Sequence, residues 1–180
     1  WGLKSKSLNP VIYTPKGYFD QSKKDGVPTD FPFSIKPSEL SAYDWSMTFN
    51  IDLASPVGIL IERVINILDK QKKNYGLDEI IRQIQIDEKT EQSTKNAAEN
   101  RFLTAKAWGL FSEKGTPIED LVKGGQVTVL DVSCYAMITG AEGLRALVIG
   151  LVSQKLFIQR MMARKTEELK DIKSNVHYLL

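Results

Sequence analysis

The stretch GGQVTVLDVSCYAMITGAEGLRALVIGLVSQKLF, residues 124–157, decides how the rest of the chain is read. Gly124-Gly125 ends one element and opens the next. Val127 to Val132 is short and rich in β-branched residues, and its apolar side alternates little. That pattern predicts an interior strand of a parallel sheet covered on both faces. After a loop, Gly140 and Gly143 lead into a helix of about 30 residues, with Leu144, Leu147, Val148 and Leu151 as its buried stripe. Its second half, from Lys155 to Lys173, is charged and amphipathic. Strand, loop and helix in succession is the building unit of α/β folds that bind nucleotides.

Working back from this unit, residues 51–123 read as helical. Ser55-Pro56 is a start signal, a side-chain oxygen for the free N–H groups followed by a residue whose fixed φ suits the first turn. Val57, Leu60, Ile61, Val64 and Leu68 repeat at helical spacing, and Ile59, Ile65 and Ile67 widen the stripe. Lys70 to Lys73 place positive charge at the C-terminal end, where the helix dipole favours it. Gly76 precedes a short helix through Ile80, Ile81 and Ile84, and a third helix carries Ala98, Phe102 and Ala105 on one face. Thr116-Pro117-Ile118-Glu119 reads as a further start, with Glu119 placed to bond back to the cap. Residues 1–50 read as strands and loops. Val11 to Thr14 is a strand stopped by Pro15; KGYFDQSKKDGVPTD is a loop; FPFSIK is an edge strand because of Pro32.

The composition fits one globular domain: 180 residues, 42% apolar, 26% charged. A net charge of +2 announces no nucleic-acid coat, so any such contact must come from local placement. The single cysteine, Cys134, rules out an internal disulfide and a cysteine-based zinc cluster, and suits a reducing cytoplasm. The single histidine, His177, excludes two-histidine metal sites. The longest apolar run, Ala146 to Val152, is far below the roughly 18 residues of a membrane span. The chain starts at Trp1 and stops on the apolar Tyr178-Leu179-Leu180, and so reads as a piece of a longer protein.

The two motifs that would complete an ATP site are missing. GxxxxGK[ST] is absent, since no Gly-Lys dipeptide occurs, and no apolar strand ends in the Asp-Glu pair that serves magnesium and the attacking water. Gly140-x-x-Gly143 alone reads as well as a packed helix entry.

The segment NRFLTAKAWGLFSEKGTPIEDLVKGGQVTVLDVS resembles the HerA-type archaeal ATPases, relatives of the FtsK-type DNA pumps. The matching elements are Arg101, Gly109-Leu110-Phe111, Gly115-Thr116-Pro117, Leu121, Gly125 and Val129 to Ser133, in order and at similar spacing. The helix LRALVIGLVSQKLFIQRMMARK looks like the one that precedes the Walker B strand, and WGLK looks like the segment after the P-loop helix. The resemblance implies an α/β, RecA-like core fragment with a helical insertion, lying between the Walker A and Walker B motifs. It implies a hexameric, ATP-driven translocase on double-stranded DNA acting in end processing, with a NurA-type nuclease as partner. ATP and Mg2+ would be held mainly by residues outside this chain. Two rivals stand beside it: a non-enzymatic helical interaction module, and a conjugation-type pump of the same superfamily.

The candidate residues follow from chemistry and position. Asp131 and Ser133 close a strand at its C-terminal end, where α/β folds place ligands; the alternative is that Asp131 caps the following loop. Arg101, beside Phe102 on a largely buried helix, would reach a neighbouring subunit's phosphates or form an internal salt bridge. Lys16, Lys23 and Lys24 in the N-terminal loop, and Arg160 and Arg164 one turn apart, are candidates for DNA phosphates. The alternative for the lysines is an ordinary soluble surface loop, and for the arginines a solvated face partnered by Glu167 and Glu168. Trp45 and Trp108 are expected to pack rather than stack on bases.

Overall fold

The computed structural model describes residues 8–71, 74–138 and 141–170. The WGLK segment, Lys72, Lys73, Gly140, Lys173, His177 and the terminal Tyr178-Leu179-Leu180 lie outside the described residues. Among those described, three short parallel strands and seven α-helices form a mixed α/β body.

β1 (Val11–Pro15) is the central strand, flanked by β2 (Phe31–Phe33) and β3 (Thr128–Leu130), both parallel to it. The register sets Tyr13 opposite Phe31 on one side and opposite Leu130 on the other. Just past β2, Ile35 makes a parallel bridge with Phe111, so the GLF element continues the sheet's edge. β3 is parallel, as its pattern predicts, but it is an outer strand. No described strand pairs with its far side. Val127 and Val129 are 42% and 40% exposed, so the expectation of a strand covered on both faces is not met within the described residues.

α1 (Lys16–Lys24) corrects the expectation of a loop over this stretch. Pro15 ends β1 and, at φ −50°, is already preset for the helix entry. Lys23 and Lys24 occupy the last turn, where they complement the helix dipole, and Gly26 at φ +73° turns the chain away. α2 (Ala42–Phe49) opens on a reciprocal cap: the Asp44 N–H donates to Ser41 Oγ and the Ser41 N–H donates to Asp44 Oδ2.

α3 (Pro56–Gln71), α4 (Leu77–Gln85) and α5 (Gln92–Ala107) form the helical part of the core. Ser55 Oγ accepts from the Gly58 N–H at 3.1 Å, the cap expected before Pro56. Leu60, Ile61 and Val64 of α3, Ile80 and Ile84 of α4, and Phe102 of α5 are fully buried. Each such side chain contributes roughly 1.5–3 kcal/mol by leaving water. Trp45 lies between Phe49, Phe102 and Phe111 with ring centroids 5.0–5.4 Å away, and Trp108 packs on Phe49 at 5.9 Å. Both indoles are packing residues, as expected.

α6 (Ile118–Leu121) is a single turn. Thr116 does not cap it; its hydroxyl oxygen accepts from the Ser34 N–H at 2.9 Å instead, tying this turn to the end of β2. α7 (Glu142–Lys170) buries Leu144, Leu147, Val148 and Leu151, the predicted stripe, with its N-terminal part against α2. Within Gly143–Leu169 one 18-residue window reaches a mean hydropathy of 1.2. By length and composition α7 therefore matches a membrane span, which the short apolar run 146–152 did not suggest. Its stripe on α2 is that of a helix packed on a protein core.

Candidate functional site

The C-terminal ends of parallel strands are where α/β folds present their ligand-binding groups. Here β1 and β3, adjacent parallel strands, end together. β1 passes into α1 without a loop, which sets Lys16 at the helix entry. β3 continues into Asp131, whose N–H donates to the Tyr13 carbonyl at 2.8 Å. Asp131 Oδ1 then accepts from the Ser133 N–H at 2.9 Å. This is the loop-capping role anticipated as the alternative for Asp131. Lys16, Asp131 and Ser133 thus sit at the same end of the sheet.

Behind them the chain makes a 3-10 turn over Ser133–Met137 that turns Tyr135 inward. Tyr135 is 1% exposed, and its hydroxyl donates to the Trp108 carbonyl at 3.0 Å. Tyr18 of α1 meets its ring edge to face at 5.6 Å. Burial, with Cys134 and Tyr18 adding to it, keeps the Tyr135 hydroxyl protonated far above the ordinary phenol range. Burial first, and the Asp131 carboxylate second, push the Cys134 thiol up to about 11. At neutral pH the site therefore holds a protonated thiol and protonated phenols.

The start of α1 is closed by backbone. The Gly17 N–H donates to the Gly109 carbonyl at 2.8 Å, so this amide is not available to an anion. Among the described residues no group of three His, Cys, Asp or Glu side chains is placed to hold a metal ion. ATP and Mg2+ do not fit the described residues alone; Asp131, Ser133 and Lys16 form at most one wall of such a site.

The other candidates lie elsewhere. Arg101 is exposed on α5, not on a buried face, and has no ion-pair partner among the described residues. Among the described residues the expected internal salt bridge is therefore not formed. Lys23 and Lys24 are at the opposite end of α1 from Lys16, and Lys23 Nζ lies 4.4 Å from the Phe19 ring centre. Both arginines take the anticipated glutamate partners, but only the Arg164–Glu168 pair, at 3.6 Å, is solvated; Arg160 and Glu167, at 3.3 Å, are partly buried. Lys155 pairs with Glu39 on the turn before α2.

No family model matches the chain, and no curated protein or solved structure is significantly similar to it.

Sequence reasoning missed Tyr135 and its partner Tyr18, and, for Trp108, gave the packing of the indole but not the carbonyl that accepts from Tyr135. It also missed two open grooves. One of about 500 Å3 runs between α2 and α7, past Met47, Gly143, Gly150 and Gln154. Another of about 510 Å3 lies beside α6, with Lys36, Lys114 and Lys155 facing Glu39 and Glu119. The spacing Gly143, Leu147, Gly150, Gln154, Phe157, Met161 was the available signal for the first.

Proposed function

We propose that this chain is the sheet flank and helical insertion of a RecA-like motor domain. The whole protein would be a hexameric, ATP-driven translocase on double-stranded DNA, cytoplasmic, working with a NurA-type nuclease at DNA ends. The observation that carries the reading is the parallel order β2-β1-β3, with Asp131 at the C-terminal end of an outer strand whose far edge is open among the described residues. An open, partly apolar parallel edge calls for a further strand, because parallel sheets are normally covered and paired. In this reading that strand, and the residues that grip ATP and Mg2+, come from outside the chain. Asp131 and Ser133 flank the nucleotide. Arg101, exposed and unpaired among the described residues, is free to reach the phosphates bound by a neighbouring subunit. Lys16, Lys23 and Lys24 on α1, and Arg160 and Arg164 on α7, would meet DNA phosphates without reading bases.

The test is ATP hydrolysis by the protein made from the whole reading frame that contains this chain, with and without duplex DNA. Turnover should rise with DNA. Arg101→Ala should lower it by about 10³-fold while leaving the melting temperature unchanged. Lys23→Gln with Lys24→Gln should reduce the DNA stimulation and flatten its salt dependence. Absence of DNA-stimulated hydrolysis would sink the motor reading and leave the interaction module, which the exposed apolar residues of α7 favour.

A further inference from the structure

The long helix α7 carries a second seam that the core uses only at its N-terminal end, where Gly143 lies against the α2 backbone and Leu147 is buried. Gly143, Leu147, Gly150, Gln154, Phe157 and Met161 follow each other at alternating steps of four and three, the spacing that keeps one helix face toward a partner helix. The seam changes character along its length. At its N-terminal end Gly143, Ala146 and Gly150 are small and α2 stands alongside, which leaves the groove of about 500 Å3 walled by Asp44, Met47 and Thr48 and floored in part by Leu147. At its C-terminal end α2 has stopped, and Phe157 and Met161 stand out at 63% and 55% exposure. One half is a trough and the other half is a pair of knobs.

We propose that α7 pairs with α7 of a second copy of this chain, antiparallel, about a two-fold axis beside Ser153 and Gln154. A two-fold contact must be self-complementary, with residue i on j and j on i. This register satisfies that requirement in size: Phe157 of each copy lies opposite Gly150 of the other, and Met161 opposite Ala146. Gly150 is open, since a Cβ there would meet nothing within 4 Å. Met47, itself 60% exposed, supplies an apolar wall for the incoming Phe157. The register also matches charge. Arg164 comes opposite Gly143, beside the Asp44 carboxylate that lines the same end of the trough. The Arg164 pairing with Glu168 is exposed, at 72% and 70%, and holds the guanidinium weakly. From Gly143 to Arg164 the seam is about 33 Å long, enough to bury on the order of 1,000 Å2, the scale of a specific interface. The inference does not rest on the translocase reading; loss of dimerisation would leave the outcome of the ATPase test untouched.

The experiment uses the full chain. Sedimentation equilibrium should show a reversible dimer at concentrations up to about 100 μM. Phe157→Asp should weaken it by about 30-fold or more. Gly150→Leu fills the trough without touching the core; it should abolish the dimer while the melting temperature is kept or raised, which a folding defect would not do. Gln154→Cys, next to the axis, should form an interchain disulfide on mild oxidation, whereas Glu62→Cys on α3 should not. A monomer throughout, a dimer indifferent to Phe157→Asp and Gly150→Leu, or no selective cross-link at position 154 would each overturn the proposal.

Discussion

Gly17 and Gly109 meet backbone to backbone: the Gly17 N–H donates to the Gly109 carbonyl at 2.8 Å, and a Cβ on either would lie 2.6 Å from the other's Cα. The contact joins the first turn of α1 to the end of α5 and so locks the sheet end onto the helical body. Gly109 is also at φ +64°, where a side chain is strained in any case. Gly17→Ala is expected to destabilise by about 1–3 kcal/mol, and Gly109→Ala by about 2–4 kcal/mol. Urea unfolding followed by tryptophan fluorescence measures both, and a loss under half a kcal/mol for Gly109→Ala would show that the two segments can part freely.

Asp87 is buried after α4, and Arg63 Nη1 of α3 reaches both its oxygens at 3.1 Å. Burial alone would raise the carboxyl, but the Thr90 hydroxyl and the Arg63 guanidinium outweigh it and hold it below the usual carboxylate range. Replacing Asp87 by Asn should cost about 1.5–3 kcal/mol at neutral pH. A depressed folded-state value stabilises above the unfolded carboxyl value, about 3.9, and that stabilisation is lost as pH falls through the folded one. The stability gap between native protein and Asp87→Asn should therefore be flat from pH 8 to about 5 and shrink below about 4. A gap that persists undiminished at pH 2.5 would contradict the ionic account.

Cys134 offers a chemical readout of the sheet end. With its thiol held up to about 11, alkylation by iodoacetamide should be slow at neutral pH and rise toward that value. Asp131→Asn removes one of the two causes and should shift the rate profile to lower pH. The sign for stability is the reverse of that for Asp87. A raised folded-state value stabilises fully below the ordinary thiol value, 9.0, and the contribution is lost as pH climbs through about 11. A rate profile centred near 8.5 would place the thiol in water instead.

The parts of the fold legible in the sequence are those whose burial imposes a period. α3, α4 and α5, and the first half of α7, bury one face, and each shows the matching stripe. α1 has no buried residue, so no apolar period marks it, and its Gly17 and Gly26 read as loop punctuation. α2 overturns the reading of residues 1–50 as strands and loops; it is only eight residues long, and its one signal, the Ser41-x-x-Asp44 cap, went unread. The strand at 127–132 was legible as a strand, but its place in the sheet depends on which segment pairs with it, and a local pattern does not hold that information. The aromatic plug at the sheet end was hidden for a similar reason. Tyr135 reaches the Trp108 carbonyl only because a 3-10 turn brings together two segments separated by α6 and β3.

The central position of β1 has a consequence for how the chain assembles. Val11 is registered with Thr128, and six of the seven described α-helices, α1 to α6, are encoded between them. While the protein is being synthesised, β1 and β2 can pair early, but the other flank of β1 stays vacant until the last third of the described chain has emerged. The Val11 N–H and the Tyr13 carbonyl, which meet Val127 and Asp131 in the finished fold, must wait beside the ribosome unmatched, which makes strand exchange between nascent chains, rather than failure of the helices, the expected route to misassembly.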